Sequence, residues 1–150
     1  MSLDTEVDAL KKVPLFANIE TSKLKLMAFA SERLTYKPGQ TLVKQGEQGD
    51  AAYIILEGEA DVVINQEDGT EVVVAALKRH AVLGEIAILC DVPRTATVRA
   101  REQTQALKIT KDLFFRLVQD FPQIGLEVMR ILAARLEKTT QDLTAARGGH

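Results

Sequence analysis

The sequence predicts a mainly β domain, a double-stranded β-helix or jelly-roll β-roll, with helices before it and a long helix after it. Three observations predict this. Short apolar runs punctuated by Gly, Asp and Pro fill the middle of the chain, and helical periodicity brackets them on both sides. No long helix separates the runs, which argues against a parallel α/β sheet. The 150 residues suit a single domain over 1–150, with helices over about 4–31, the roll over about 34–110 and C-terminal helices over about 112–146.

At the start, Val7, Leu10 and Val13 share a helix face until Pro14 ends the stretch. Leu15-Phe16-Ala17-Asn18-Ile19 makes a short apolar turn. A second helix runs from Thr21 or Ser22 to about Ser31, with Leu24, Met27 and Ala28 on its buried side. Strands follow at Thr41 to Val43, Ala52 to Leu56, Ala60 to Ile64, Val72 to Leu77, Thr95 to Ala100 and Ala106 to Ile109. Gly39, Gly46, Gly49, Gly58 and Asp68-Gly69 separate them at hairpin spacing. Asp112 caps a helix through Gln119, and Phe121-Pro122 breaks it. With Pro122 in its first turn, a last helix reaches about Ala146, and Ile124, Val128, Ile131, Leu132, Leu136, Thr139 and Leu143 keep the 3.6 period. Met129, Leu132, Leu136, Thr139 and Leu143 also fit heptad a and d positions. A homodimer seam and a helix packed on its own roll are both open readings.

Composition excludes several classes. Nineteen Lys and Arg against 21 Asp and Glu give a net charge of −2, which argues against bulk attraction to nucleic acid or an anionic membrane. No apolar run approaches the ~20 residues of a membrane helix, and the acidic start (Asp4, Glu6, Asp8) is unlike a secretory signal. The lone Cys90 forms no internal disulfide and no Cys-based zinc site, which fits a reducing cytoplasm. There is no Ser-His-Asp order, no Walker glycine-lysine loop and no metal-ligand spacing, so the expectation is a binding protein without metal or cofactor, and no enzyme. Charge is uneven: eight acids and no base lie between Gln45 and Glu71, whereas seven bases meet three acids between Val72 and Lys111. Solvated strand faces and a half that faces a small anion both account for this.

Chemistry concentrates in Gly84-Glu85-Ile86-Ala87-Ile88-Leu89-Cys90-Asp91-Val92-Pro93-Arg94-Thr95-Ala96-Thr97-Val98. Gly84 permits close backbone approach by a ligand. A short helix over about 85–90 leaves free amides that favour an anion, and Arg94 returns by the Pro93 bend to add charge-assisted hydrogen bonds. Glu85 suits a ligand that also carries hydroxyls. The alternative is that Glu85 and Arg94 pair with one another and pin the loop.

This order of residues closely resembles the phosphate-binding cassette of the cyclic nucleotide-binding domain family, roughly Phe-Gly-Glu-Leu-Ala-Leu followed by Pro-Arg-x-Ala-Thr-Val. Upstream, Gly46-Glu47-x-Gly49-Asp50-x-x-Tyr53-Ile54-Ile55-Leu56-x-Gly58 resembles the family's turn-and-strand signature, and Leu15-Phe16 its N-terminal helical element. The likeness covers about residues 12 to 140. It implies that Glu85 accepts from the ribose 2′-hydroxyl, that Arg94 binds the exocyclic phosphate oxygens, and that amides near Ala87 and Ala96 complete the cradle, with Gly84 and Ile86 beside it. It implies cAMP as the preferred ligand. Thr95 keeps cGMP as the alternative, because a hydroxyl there suits the guanine amino group and also occurs in bacterial cAMP binders.

The last helix is similar to the dimer helix of the catabolite activator branch of the family. That likeness implies that Arg135 braces Glu85 while Thr139 and Thr140 reach the base. The other reading of the Thr pair is a fraying helix end. Leu83, Val72, Val74, Leu132 and Leu136 complete the expected base contacts. Two residues depart from the family pattern. Leu83 replaces the usual aromatic before Gly84, and His80 stands where Gly is usual, so the loop entry is expected to be strained or rearranged. Cys90 reads as a packed thiol. The function implied is a cytoplasmic sensor that binds a cyclic nucleotide, signals through its last helix, along which a homodimer stays one of the two open readings, and touches neither DNA nor membrane. The alternatives are a roll that has lost its ligand and serves as an interaction module, or the sensor half of a transcription, kinase or channel regulator.

Overall fold

The computed structural model describes residues 3–84, 89 and 93–148, apart from the side chains of Leu15, Arg135 and 145–148. Helix α1 (Leu3–Lys11) places Asp4 and Glu6 in its first turn and Lys11 in its last, complementing the helix dipole. Val7, Leu10 and Val13 are buried as their spacing predicts. Pro14 does more than end this stretch: it opens a single 3-10 turn, Pro14–Phe16, where a missing N–H costs nothing. Helix α2 (Thr21–Ala30) buries Leu24, Met27 and Ala28.

Eight strands follow: β1 (Glu32–Tyr36), β2 (Thr41–Val43), β3 (Ala51–Glu57), β4 (Ala60–Asn65), β5 (Glu71–Leu77), β6 (Val82–Leu83), β7 (Thr97–Ala100) and β8 (Thr104–Thr110). They form two four-stranded sheets, ordered β1-β8-β3-β6 and β2-β7-β4-β5, and every pairing is antiparallel. This is the expected roll. Strands β1 and β6 were not foreseen. Glu32-Arg33-Leu34-Thr35-Tyr36 is too polar to announce a strand because β1 is a sheet edge, and β6 is only two residues long. Thr95 and Ala96 belong to a bend before β7.

Strand β3 explains its own sequence. Ala52, Ile54 and Leu56 face the helices, in one core with Leu10, Phe16, Leu24, Met27, Leu107, Phe114 and Ile124. Ala51, Tyr53 and Ile55 face the roll interior with Leu42, Ala60, Val98, Ala100 and Ala106. A strand buried on both faces reads as a continuous apolar run.

Helix α3 (Lys111–Asp120) is capped two residues earlier than expected. The Thr110 hydroxyl, not Asp112, accepts from the Leu113 N–H at 3.1 Å, and Asp112 sits in the first turn. Helix α4 (Pro122–Gly148) packs on the helical core through Ile124 and Val128, with Ile131 and Leu132 half-buried. Beyond Leu132 its described side chains are exposed, so the periodic contacts expected of Leu136, Thr139 and Leu143 are not made on its own roll. Among the described residues no helix is long and apolar enough to cross a membrane.

Candidate functional site

Three segments converge on Arg94. Its backbone is locked to the turn after β2: the Arg94 N–H donates to the Glu47 carbonyl at 2.7 Å and the Gly46 N–H donates to the Arg94 carbonyl at 2.8 Å. Pro93 bridges to Gln48 beside them. Its side chain turns to the start of β3, where Nη2 donates to the Ala51 carbonyl at 2.6 Å and the guanidinium carbon lies 5.9 Å from the Tyr53 ring centroid. The third segment is Gly84, at the end of β6. Gly84 has φ +74°, and a Cβ there would lie 2.0 Å from Arg94 Nη1 and 2.9 Å from the Ala51 carbonyl oxygen. Only glycine fits, for backbone and for space. Leu42, Lys44, Glu47, Asp50 and Tyr53 line a pocket of about 100 Å³ against Arg94. That is the scale of a phosphate group, well below the ~300 Å³ that a whole small ligand needs.

The other expected residues are distributed as follows. Leu83 pairs across strands with Tyr53 and packs against the roll interior. Thr95 is exposed and Ala96 half-buried in the bend after Arg94, and the next residue, Thr97, accepts from the Gln45 N–H at 3.0 Å. Val72 and Val74 lie exposed on β5, the edge of the second sheet. Leu132 packs with the helical core, while Leu136, Thr139 and Thr140 are exposed, the Thr140 hydroxyl donating to the Leu136 carbonyl at 3.0 Å. Glu85, Ile86, Ala87, Cys90 and the side chain of Arg135 lie outside the described residues, as does the expected short helix over 85–90 except for Leu89. Arg94 and Gly84 are thus brought together, with Leu83 adjoining; the described α4 residues are not brought to them. Ala51 and Tyr53 were missed as partners of Arg94. The period of two along β3 puts the Tyr53 side chain on the inner face with that of Ala51, whereas no side-chain pattern announces the contact with the Ala51 carbonyl.

Residues 33–121 match the model of the cyclic nucleotide-binding domain. The chain belongs to this family. It is 32% identical over 141 residues to the cAMP-dependent protein kinase regulatory subunit of Blastocladiella emersonii, covering 94% of this chain and 32% of that protein. It is 26% identical over 136 residues to a CRP-like cAMP-activated global transcriptional regulator of Mycobacterium tuberculosis, covering 91% of this chain and 61% of that one. Its fold superposes with a TM-score of 0.85 on the N-terminal domain of a transcriptional regulator from Streptomyces coelicolor A3(2), at 27% identity over 89% of this chain and 96% of that one. The chain therefore spans about a third of the kinase regulatory subunit, and less than two thirds of the mycobacterial regulator.

In this cyclic nucleotide-binding domain the entry to the cassette carries its own electrostatics. His80 adopts φ +73°, the left-handed conformation, and its N–H donates to the Ile55 carbonyl at 2.8 Å. The expected strain is therefore located in one residue. Its Nδ1 stands 3.5 Å from Lys12 Nζ, and burial, then Lys12 and Arg79, push the imidazole below its usual 6.5 while Asp8 opposes them. Inside the roll, burial first, then Tyr53 and Glu32, raise the Tyr36 phenol to about 12, so it stays neutral at physiological pH. On the second sheet Arg99 forms a two-pronged pair with Glu71, at 3.0 and 3.2 Å, and Arg101 joins Glu59 and Asp61. Those two arginines are engaged in ion pairs; among the described residues the Arg94 side chain donates to a neutral carbonyl.

Proposed function

We propose that this domain is a sensor that binds cAMP, with cGMP the weaker ligand, and reports occupancy through α4. The observation that carries this reading is the convergence of Gly46-Glu47, Ala51 and Gly84 on Arg94. Arg94 takes the exocyclic oxygens of the cyclic phosphate and Gly84 lets the sugar approach. Glu85 accepts from the ribose 2′-hydroxyl, and amides near Ala87 and Ala96 complete the cradle. Thr95, Leu83, Val72 and Val74 lie along the path of the base. Arg135 braces Glu85, and Leu132, Leu136, Thr139 and Thr140 reach the base once α4 swings over the roll. The part of α4 beyond Leu132 supports that role, because its described side chains are exposed. A homodimer along Met129, Leu136 and Leu143, each more than half exposed, is the assembly this reading favours. The domain itself catalyses nothing and acts from the cytoplasm on an output module.

Calorimetry with cAMP and cGMP tests the reading. A few charge-assisted bonds and a base contact give micromolar affinity, on the order of −8 kcal/mol. Arg94→Ala should weaken binding tenfold or more. Absence of heat with either nucleotide would leave the roll as an interaction module.

A further inference from the structure

We infer that Tyr53 is the positioning residue of the phosphate-binding arginine, its ring face holding the Arg94 guanidinium where an anion meets it. The inference rests on the reading that Arg94 takes the cyclic phosphate. Tyr53 is 7% exposed on the inner face of β3. It sits across from Leu83, the residue before Gly84, on one side and from Lys108 of β8 on the other. The Arg94 guanidinium carbon lies 5.9 Å from its ring centroid, inside the ~6 Å over which a cation is drawn to the negative face of an aromatic ring. A second cation, Lys108 Nζ, stands at the same 5.9 Å, so one strand, β8, and the cassette bend each deliver a positive group to one ring.

The ring and the Ala51 carbonyl belong to the same strand, two residues apart, and they restrain different things. The carbonyl fixes one nitrogen at 2.6 Å; the ring draws in the guanidinium as a whole. Arginine otherwise gives up the freedom of several rotatable bonds when it closes on an anion, and a group ordered in advance avoids that loss at the moment of binding. Tyr53 therefore touches no ligand atom in this scheme; it acts through Arg94.

The test is a series at position 53 in the full chain. Starting from Tyr53→Phe, mono-, di- and pentafluorinated phenylalanines drain electron density from the ring face while nearly preserving its shape. cAMP affinity is measured by calorimetry, with the melting temperature as a check on folding. The affinity should fall stepwise to about fivefold weaker at full fluorination, about 1 kcal/mol, and the fall should vanish in an Arg94→Ala background. A flat series, or an equal fall in both backgrounds, marks the ring as packing only and overturns the inference. Should Arg94→Ala itself leave affinity unchanged, the phosphate reading fails and takes the inference with it. Should Arg94→Ala weaken binding while the series stays flat, only the inference fails.

Discussion

His80 stands where the backbone wants glycine. Holding φ at +73° costs a side-chain-bearing residue about 1–2 kcal/mol, and glycine gives back about 0.4–1 of that through its freer unfolded chain. His80→Gly should therefore stabilise the domain by about 0.5–1 kcal/mol, read as a higher melting temperature. The same residue sets a pH dependence. Its folded-state pKa is held below 6.5, by burial first, so the unfolded chain takes the proton first and stability is lost as pH falls through that window. Between about pH 7 and about pH 5 the wild-type melting temperature should drop further than that of His80→Gly. Arg94 and Gly84 were legible in the sequence because the cassette is contiguous and its order is distinctive. Tyr53 was legible only as part of a strand. Its proximity to Arg94 depends on the pairing of β3 with β6 and β8, which no local pattern specifies.

At the scale of elements, the signals that worked were periodic and the ones that failed were polar. The runs at β3, β4 and β5 stood out because apolar and β-branched residues filled them, even where β5 lies exposed at the sheet edge. Strand β1 hid behind Glu32 and Arg33, since it pairs only with β8 and needs little apolar content. The start of α3 was misread by two residues because both Thr110 and Asp112 suit an N-cap, and the backbone turns helical after Thr110. Thr110→Ala should cost about 1 kcal/mol and lower the melting temperature by about 2–4 °C, whereas Asp112→Ala should cost less. Helix α4 splits into two regimes. Its first part is held by Ile124 and Val128, and its second carries exposed Leu136 and Leu143. Leu136→Glu should leave the melting temperature nearly unchanged and abolish self-association in analytical ultracentrifugation. A monomeric wild type would remove the seam from the proposed assembly.

At the scale of the whole molecule, the helical layer is tied to the roll by apolar contact and by an ion pair. Glu6 of α1, fully buried, is matched by Arg33 of β1, which stays nearly half exposed. A carboxylate in that position is tolerable only with its partner, so Arg33→Leu should cost about 3 kcal/mol, and adding Glu6→Leu should recover most of it. Chemical denaturation of the two variants checks this. A pair that behaved additively would show the contact to be incidental.

The two-sided burial of β3 carries a mechanical consequence. The carbonyl that grips the guanidinium belongs to Ala51, and the very next side chain, Ala52, is wedged among the helices. Roll interior and helical layer are separated here by one peptide unit. Because such interiors are nearly incompressible, any displacement of Ala51 would press Ala52 against the helices.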